Sequence, residues 1–214
     1  MLSSKASKIA FGILLILHLV GFIGINSSKS ELFLSLSAVH LIISALVLFW
    51  FHQKWDAKQA IALILIFVLS FGLEVSGIQS RVIFGSYDYM DMLGTKGLEV
   101  PFVIGLLWVM LVYASQHIVK AFYPRYNRFV LLLAASALMV FLDFLIEPLS
   151  ESLGYWKWTE GSAPAQNYLV WFIASFVFQL ILAPCQREVP INKMALPLFI
   201  FFVLFFFGLN FTLA

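Results

Sequence analysis

The sequence predicts an all-α fold, a polytopic membrane bundle of about seven transmembrane helices. Of the 214 residues, 62% are hydrophobic and only 11% are charged, whereas soluble domains carry about 25% charged residues. The apolar residues form continuous runs, not the alternation that is typical of membrane barrel strands. Because a backbone in a bilayer must satisfy its own hydrogen bonds, we expect these runs to be helices.

Seven apolar runs have lengths close to the ~20 residues that cross a hydrocarbon core. The first follows Lys5 and Lys8, as in a signal peptide, but it is long and lacks a small-residue cleavage site, so we expect it to remain as a helix. No internal repeat or soluble segment interrupts the chain, which predicts one integral membrane domain over 1–214. The runs occupy residues 9–25, 32–51, 59–77, 100–119, 129–149, 167–184 and 195–213.

The Lys and Arg residues divide unequally between alternate loops, nine against four. Cytoplasmic loops carry the excess of basic residues. This predicts a multi-pass protein of the cell (inner) membrane with a cytoplasmic N-terminus and an external C-terminus, and loops 78–99 and 150–166 on the outer side. The nine residues are Lys5, Lys8, Lys54, Lys58, Lys120, Arg125, Arg128, Arg187 and Lys193.

Carboxyl groups inside the apolar runs indicate function, because a charge at that depth is costly. Glu74 lies late in the third run, and Asp143 and Glu147 lie one helical turn apart late in the fifth. Asp143 is roughly 10 Å of helix rise below the outer loop, so its short side chain does not reach water and we assign it a function. For Glu74, Glu147 and Glu99, an interfacial position that reaches water is an equal alternative.

Pro148 directly follows Glu147 and removes a helix hydrogen bond beside the acidic pair. The helix is therefore expected to end or kink there. Both a cavity wall and a simple helix stop fit this pattern.

The two outer loops combine aromatic residues with glycines. Loop 78–99 contains the segment 84–89, Phe-Gly-Ser-Tyr-Asp-Tyr, and loop 150–166 contains the segment 154–158, Gly-Tyr-Trp-Lys-Trp. A membrane-interface belt explains several of the rings, whereas the glycines indicate defined turns. Arg81 is the strong cation near the acids and could pair with Glu74 or Asp88.

These motifs resemble those of a known family. The first half reads Glu74-x-x-Gly77, Phe84-Gly85-x-Tyr87-x-Tyr89, Leu93-Gly94 and Val100-Pro101, followed by Trp108 and Tyr113. The second half reads Asp143-x-x-x-x-Pro148, Gly154-x-Trp156-x-Trp158 and Asn167-Tyr168-x-x-Trp171. Over residues 70–175 the chain is similar to the membrane carotenoid 1′,2′-hydratases, the bisanhydrobacterioruberin hydratase-like carotenoid biosynthesis proteins. It departs from them where the family often reads Thr-Gly-x-Pro-Phe-Gly, because a longer segment, 78–83, precedes Phe84.

The resemblance implies addition of water across the terminal C1′=C2′ double bond of an acyclic carotenoid end group. Protonating an alkene needs a carboxylic acid that holds its proton until use, and two neighbouring carboxyls can supply one. Asp143, with Glu147 beside it, is the expected general acid, Glu74 the base or cation stabiliser, and Asn167 a positioning residue. The expected substrate-binding residues are Arg81, Tyr87, Tyr89, Trp108, Trp156, Trp158, Asn167 and Trp171.

We expect no metal and no cofactor, since no HExxH, P-loop or dinucleotide fingerprint is present. The expected partners are a carotenoid or similar polyisoprenoid, membrane lipid and other enzymes of the carotenoid pathway, but no nucleic acid. A membrane carotenoid cyclase is the alternative enzyme, although its Pro-x-Glu-Glu type of motif is missing. A carotenoid or lipid binder or transporter is the non-enzymatic alternative. A retinal photoreceptor is disfavoured, because the last run, 195–213, contains no Lys.

Overall fold

A computed structural model describes residues 4–186 and 189–213 of the chain. Arg187, which contributed to the predicted orientation, lies outside the described residues. The described residues form eight α-helices, one 3-10 turn and four short strands. The helices are α1 (Lys5–Ile25), α2 (Ser30–Ser35), α3 (Ser37–Trp50), α4 (Ala57–Ser80), α5 (Phe102–Phe122), α6 (Arg128–Ile146), α7 (Ala165–Leu182) and α8 (Ala195–Thr212). The strands are β1 (Tyr87–Tyr89), β2 (Lys96–Gly97), β3 (Val100–Pro101) and β4 (Trp156–Trp158).

Six of these helices, α1, α4, α5, α6, α7 and α8, are long and apolar enough to cross a membrane, α6 together with the 3-10 turn Glu147–Leu149. The structure therefore confirms the predicted all-α polytopic membrane bundle. The helix break predicted at Pro148 is also present, because α6 ends at Ile146 and the turn follows it.

The second apolar run differs from the prediction, because it divides into α2 and α3 at Leu36. The backbone at Leu36 has φ −88° and ψ 2°, outside the α-helical range. The hydroxyls of Ser35 and Ser37, on either side of it, donate to the carbonyls of Leu32 and Leu34. Helix α3 has 14 residues, about 21 Å of rise, so a seventh crossing stays a prediction, as does the orientation of the termini.

Helix α5 is the central helix of the bundle. It contacts α3, α4, α6, α7 and α8, and nearly every residue from Val103 to Val119 is buried. The surrounding helices expose apolar side chains on their outer faces, for example Ile64, Val68 and Phe144. A helical bundle with an apolar outer surface fits a bilayer, because helices satisfy their own backbone hydrogen bonds.

A β-ribbon covers the end of the bundle where α4 and α6 terminate and α5 and α7 begin. Strand β1 pairs with β4 in antiparallel register, Tyr87 opposite Trp158 and Tyr89 opposite Trp156. Because side chains alternate between the faces of a strand, these four rings share the buried face, while Asp88 opposes Lys157 on the exposed one.

Glycines set the turns at the ribbon, as predicted. Gly85 precedes β1 with φ +116° and Gly154 precedes β4 with φ +67°, a region that L-residues rarely adopt. A Cβ at Gly85 would lie 2.8 Å from the Pro164 ring, and one at Gly154 would lie 2.7 Å from Met92. Both turns therefore require glycine.

Candidate active site

Glu74 is buried on α4 beneath the ribbon and accepts three hydrogen bonds. Its Oε2 atom accepts from the hydroxyl of Tyr87 at 2.6 Å and from that of Tyr89 at 2.9 Å. Its Oε1 atom accepts from the indole N–H of Trp108 at 3.0 Å. Every donor to this carboxyl is an uncharged group, so its position is fixed without an ion pair.

The two tyrosines that hold Glu74 remain hydrogen-bond donors. Burial raises the pKa of Tyr87 and of Tyr89 well above the usual value, and the negative charge of Glu74 raises both further. Each phenol therefore keeps its proton. Alternate positions on β1 direct both hydroxyls to the same carboxyl oxygen.

A second buried acidic group lies at the end of α6 and in the 3-10 turn that follows it, where Asn167 of α7 joins Asp143 to Glu147. The Asn167 amide nitrogen donates to Asp143 Oδ2 at 3.0 Å and to Glu147 Oε1 at 2.9 Å. The indoles of Trp156 and Trp158 donate to Glu147 Oε2 at 3.0 and 2.7 Å. The spacing of four residues between the two acids thus places both within reach of one amide.

Asp143 Oδ1 differs from the other carboxyl oxygens of the three acids, because it has no hydrogen-bond partner within the described chain. The side chains of Glu74, Asp143 and Glu147 are buried, with at most 7% of each residue exposed. Buried polar atoms are nearly always hydrogen-bonded. An oxygen without a donor is therefore the position in this site where a proton or a ligand can be held.

Aromatic rings enclose the acids. Tyr87 and Trp158 have ring centroids 4.9 Å apart. Trp108 stacks on Trp171 with centroids 4.1 Å apart and an angle of 20° between the planes. The structure therefore brings together Glu74, Asp143, Glu147, Tyr87, Tyr89, Trp108, Trp156, Trp158, Asn167 and Trp171 at one end of the bundle.

Arg81 lies on the exposed face of the ribbon, outside this group. Its guanidinium forms an ion pair with Asp88 at 2.6 Å and donates to the carbonyl of Tyr87. Of the two predicted partners, Glu74 and Asp88, the structure thus selects Asp88. The hydrogen bond from Arg81 holds the pKa of Asp88 below its usual range.

The ion pairs among the described residues all lie on the outside of the loops: Arg81 with Asp88, Lys96 with Asp91, and Lys157 with Glu151. None reaches the three buried acids. Glu99 also lies outside the site, exposed in the turn that joins β2 to β3. Over residues 4–186 and 189–213, no group of three or more His, Cys, Asp or Glu side chains is arranged to hold a metal ion.

A narrow apolar cavity lies close to the acids, although none of the three lines it. Its walls include Trp156, which donates to Glu147, and Leu142 and Ile146, which precede Asp143 and Glu147 on α6. Tyr155 and His40 also line it, and sequence reasoning did not select either residue. The position of Tyr155 between Gly154 and Trp156 was the available signal.

Comparison with known proteins identifies the family of the chain. The family model described as "Carotenoid biosynthesis protein" matches residues 35–214. Bisanhydrobacterioruberin hydratase from Haloarcula japonica is 25% identical over 132 residues, which are 59% of this chain. The matched part is 45% of that relative, so the chain spans less than half of its length. No solved structure matches the chain.

Proposed function

This chain belongs to the carotenoid biosynthesis protein family, and on that premise we propose that it is a carotenoid hydratase. It adds water to the terminal C1′=C2′ double bond of an acyclic carotenoid end group and gives a tertiary alcohol. The observation that carries the proposal is the unpartnered Oδ1 atom of Asp143 in a buried group of three carboxyls.

Asp143 is the general acid in this proposal. Its proton passes to C2′, the π-electron pair forms the new C–H bond, and C1′ becomes a tertiary cation. The acid needs one oxygen that is free to carry the proton and one that is anchored, and Asp143 has both, since Asn167 binds its Oδ2 atom. Proton transfer from a positioned group contributes typically ~10²–10⁴-fold to a rate.

Glu74 is the base that completes the reaction. Water adds to C1′ and loses a proton to Glu74. This proton balances the one that Asp143 gave to C2′, so the reaction as a whole consumes only water. The three hydrogen bonds from Tyr87, Tyr89 and Trp108 fix Glu74 in position. Such preorganised groups act without reorganising during the reaction.

The tertiary cation is stabilised by the aromatic rings around the acids. The faces of Trp and Tyr rings attract cations without reacting with them. The stacked pair of Trp108 and Trp171 and the ribbon rings of Trp156 and Trp158 surround the acidic group on several sides. In this account no step requires a metal or a cofactor.

The finer statements about location and partners belong to the same proposal. We place the protein in the inner cell membrane with a cytoplasmic N-terminus, as the distribution of Lys and Arg indicates. Its substrate is an acyclic carotenoid or similar polyisoprenoid. The association with other carotenoid-pathway enzymes stays a prediction.

Expression in a bacterium that makes lycopene or γ-carotene tests the proposal, with the pigments separated by chromatography and their masses measured. A more polar pigment, heavier by one water, is the expected product. An isomer of unchanged mass would identify a cyclase, in which an internal alkene captures the cation. Unchanged pigment would point to a binder or transporter.

A further inference from the structure

The acids need a route by which a long apolar chain reaches them from the bilayer, and the structure has an apolar surface groove that shares lining residues with the narrow cavity near the acids. We propose that the polyene chain of the substrate lies in a groove between α1 and α2–α3, called here the lateral groove, and that its end group reaches the acids through the narrow cavity. This inference rests on the proposed function, and it assigns the binding site of the substrate chain.

The lateral groove opens on the outer surface of the bundle. One wall belongs to α1 and the other to the end of α2 and to α3. Apolar side chains form nearly all of its lining, including Ile16, Val20 and Gly21 on α1 and Leu36, Val39 and Ile43 on the opposite wall. Val20 and Val39 are both about half exposed at this surface. The groove therefore faces the hydrocarbon in which a carotenoid dissolves.

The lateral groove and the narrow cavity meet at shared residues. Ser37, His40, Tyr155 and Phe205 line both of them. The hydroxyl of Tyr155 donates to Ser37 at 3.0 Å, which is a polar contact at the junction. These side chains lie between the groove and the cavity, so in our proposal the substrate chain passes this contact to reach Trp156.

The narrow cavity is connected to the acids through Trp156 and α6. Trp156 forms part of the cavity wall and donates to Glu147. Leu142 and Ile146 form another part of that wall and are the residues before Asp143 and Glu147. The acids do not line the cavity themselves, so an end group there is one side chain away from Glu147 through Trp156.

A polyisoprenoid chain is the ligand whose chemistry fits the groove and the cavity. The lining is apolar along its length, and its polar side chains are at the junction. The ribbon covers the acids at the end of the bundle through Tyr87, Tyr89, Trp156 and Trp158. A lateral path spares the chain a passage through water, which is unfavourable for an apolar molecule. Helix α1 lies outside the matched residues 35–214, so this wall belongs to a part of the chain that the family model does not cover.

The test narrows the lateral groove without touching the acids. The double variant Val20→Trp with Val39→Trp places a large ring on each wall. The matched control is Val68→Trp with Val130→Trp, on the outer faces of α4 and α6. The four valines are similarly exposed, at 49%, 48%, 58% and 47% in that order, so the cost of the new rings is comparable.

Two substrates with the same end group distinguish an effect on binding in the groove from an effect on the reaction. One is a full-length acyclic carotenoid, and the other is a short acyclic isoprenoid that does not extend into the groove. The groove variant is expected to lose about tenfold or more of its conversion of the long substrate and to convert the short one like the control. Equal conversion of the long substrate by both variants would overturn the inference, and so would equal loss of both substrates.

Binding of the long polyene to the purified protein, followed by its induced circular dichroism, gives a readout without turnover. Binding that is weakened in the groove variant and retained in the control supports the lateral groove, even if the wild type forms no alcohol. A wild-type protein that binds the polyene but forms no alcohol would overturn the proposed function and leave the groove inference standing. Binding that is equal in both variants would overturn the inference while hydration stands.

Discussion

Tyr87 and Trp158 face each other across the two-stranded ribbon, with ring centroids 4.9 Å apart, and each donates to a different buried acid. Tyr87 binds Glu74 of α4, and Trp158 binds Glu147 at the end of α6. One strand pair thus holds carboxyls from two helices in a fixed relation. The loops that carry the ribbon are therefore part of the site.

Replacing Trp158 by Phe removes the shorter of the two indole bonds to Glu147 while keeping an aromatic ring. We expect a loss of about 1–3 kcal/mol of stability, the cost of leaving a buried acceptor short of a donor. We also expect a lower yield of the hydrated carotenoid. Thermal unfolding in detergent and product yield measure the two effects. The control is Trp50→Phe, since Trp50 is exposed, and equal effects of the two substitutions would contradict this role of the ribbon.

Glu74→Gln should destabilise the protein by about 1–3 kcal/mol. Both oxygens of Glu74 accept from donors. The amide oxygen of Gln can stay with the Trp108 indole, but its NH₂ group then faces the two tyrosine hydroxyls, which must turn to accept and lose Glu74 as their own acceptor. Tyr89→Phe is the milder comparison, because Tyr87 continues to bind the same oxygen. Chemical unfolding of both variants checks the order, and an unfolding midpoint for Glu74→Gln at or above that of Tyr89→Phe would refute it.

Gly85→Ala should lower stability more than Gly161→Ala. Both glycines have positive φ, 116° and 81°, and strain of that kind costs about 1–3 kcal/mol. A Cβ at Gly85 also meets Pro164 at 2.8 Å, whereas one at Gly161 meets open space. The difference between their melting temperatures isolates this steric contact, and identical melting temperatures would show that the ribbon tolerates a side chain there.

Arg81→Gln should change stability by less than about 1 kcal/mol, because its ion pair with Asp88 is exposed. The pKa of Asp88 is lowered in the folded protein, so the pair stabilises the fold above the unfolded pKa of Asp88. That stabilisation is lost as the pH falls through the folded pKa. Unfolding measured across the acid range, with Lys157→Gln as the comparison, checks this, and a change confined to alkaline pH would contradict it.

The helices and the candidate role of the three acids could be predicted from the sequence, because each leaves a local signal. A run such as 129–149 indicates its own helix, and Asp143 is conspicuous in it. The pairing of β1 with β4 joins residues about 70 positions apart, and no local pattern encodes that register. The hydrogen bonds from the four ribbon rings to Glu74 and Glu147 depend on this register, so they were not predicted. The break at Leu36 was missed because serines such as Ser35 and Ser37 also occur within continuous helices, where their hydroxyls bond to the preceding turn.

The substitution Asp143→Asn tests whether Asp143 is the general acid. An Asn at this position can turn its oxygen to Asn167 and its NH₂ group to the place of Oδ1, where no donor lies, so the fold should be retained, in contrast to Glu74→Gln. The measurement is the yield of hydrated carotenoid in a lycopene-producing bacterium, beside membrane abundance and thermal unfolding. The account predicts a stable, inserted protein without detectable hydrated product, whereas hydrated product at the wild-type level would remove Asp143 from the mechanism.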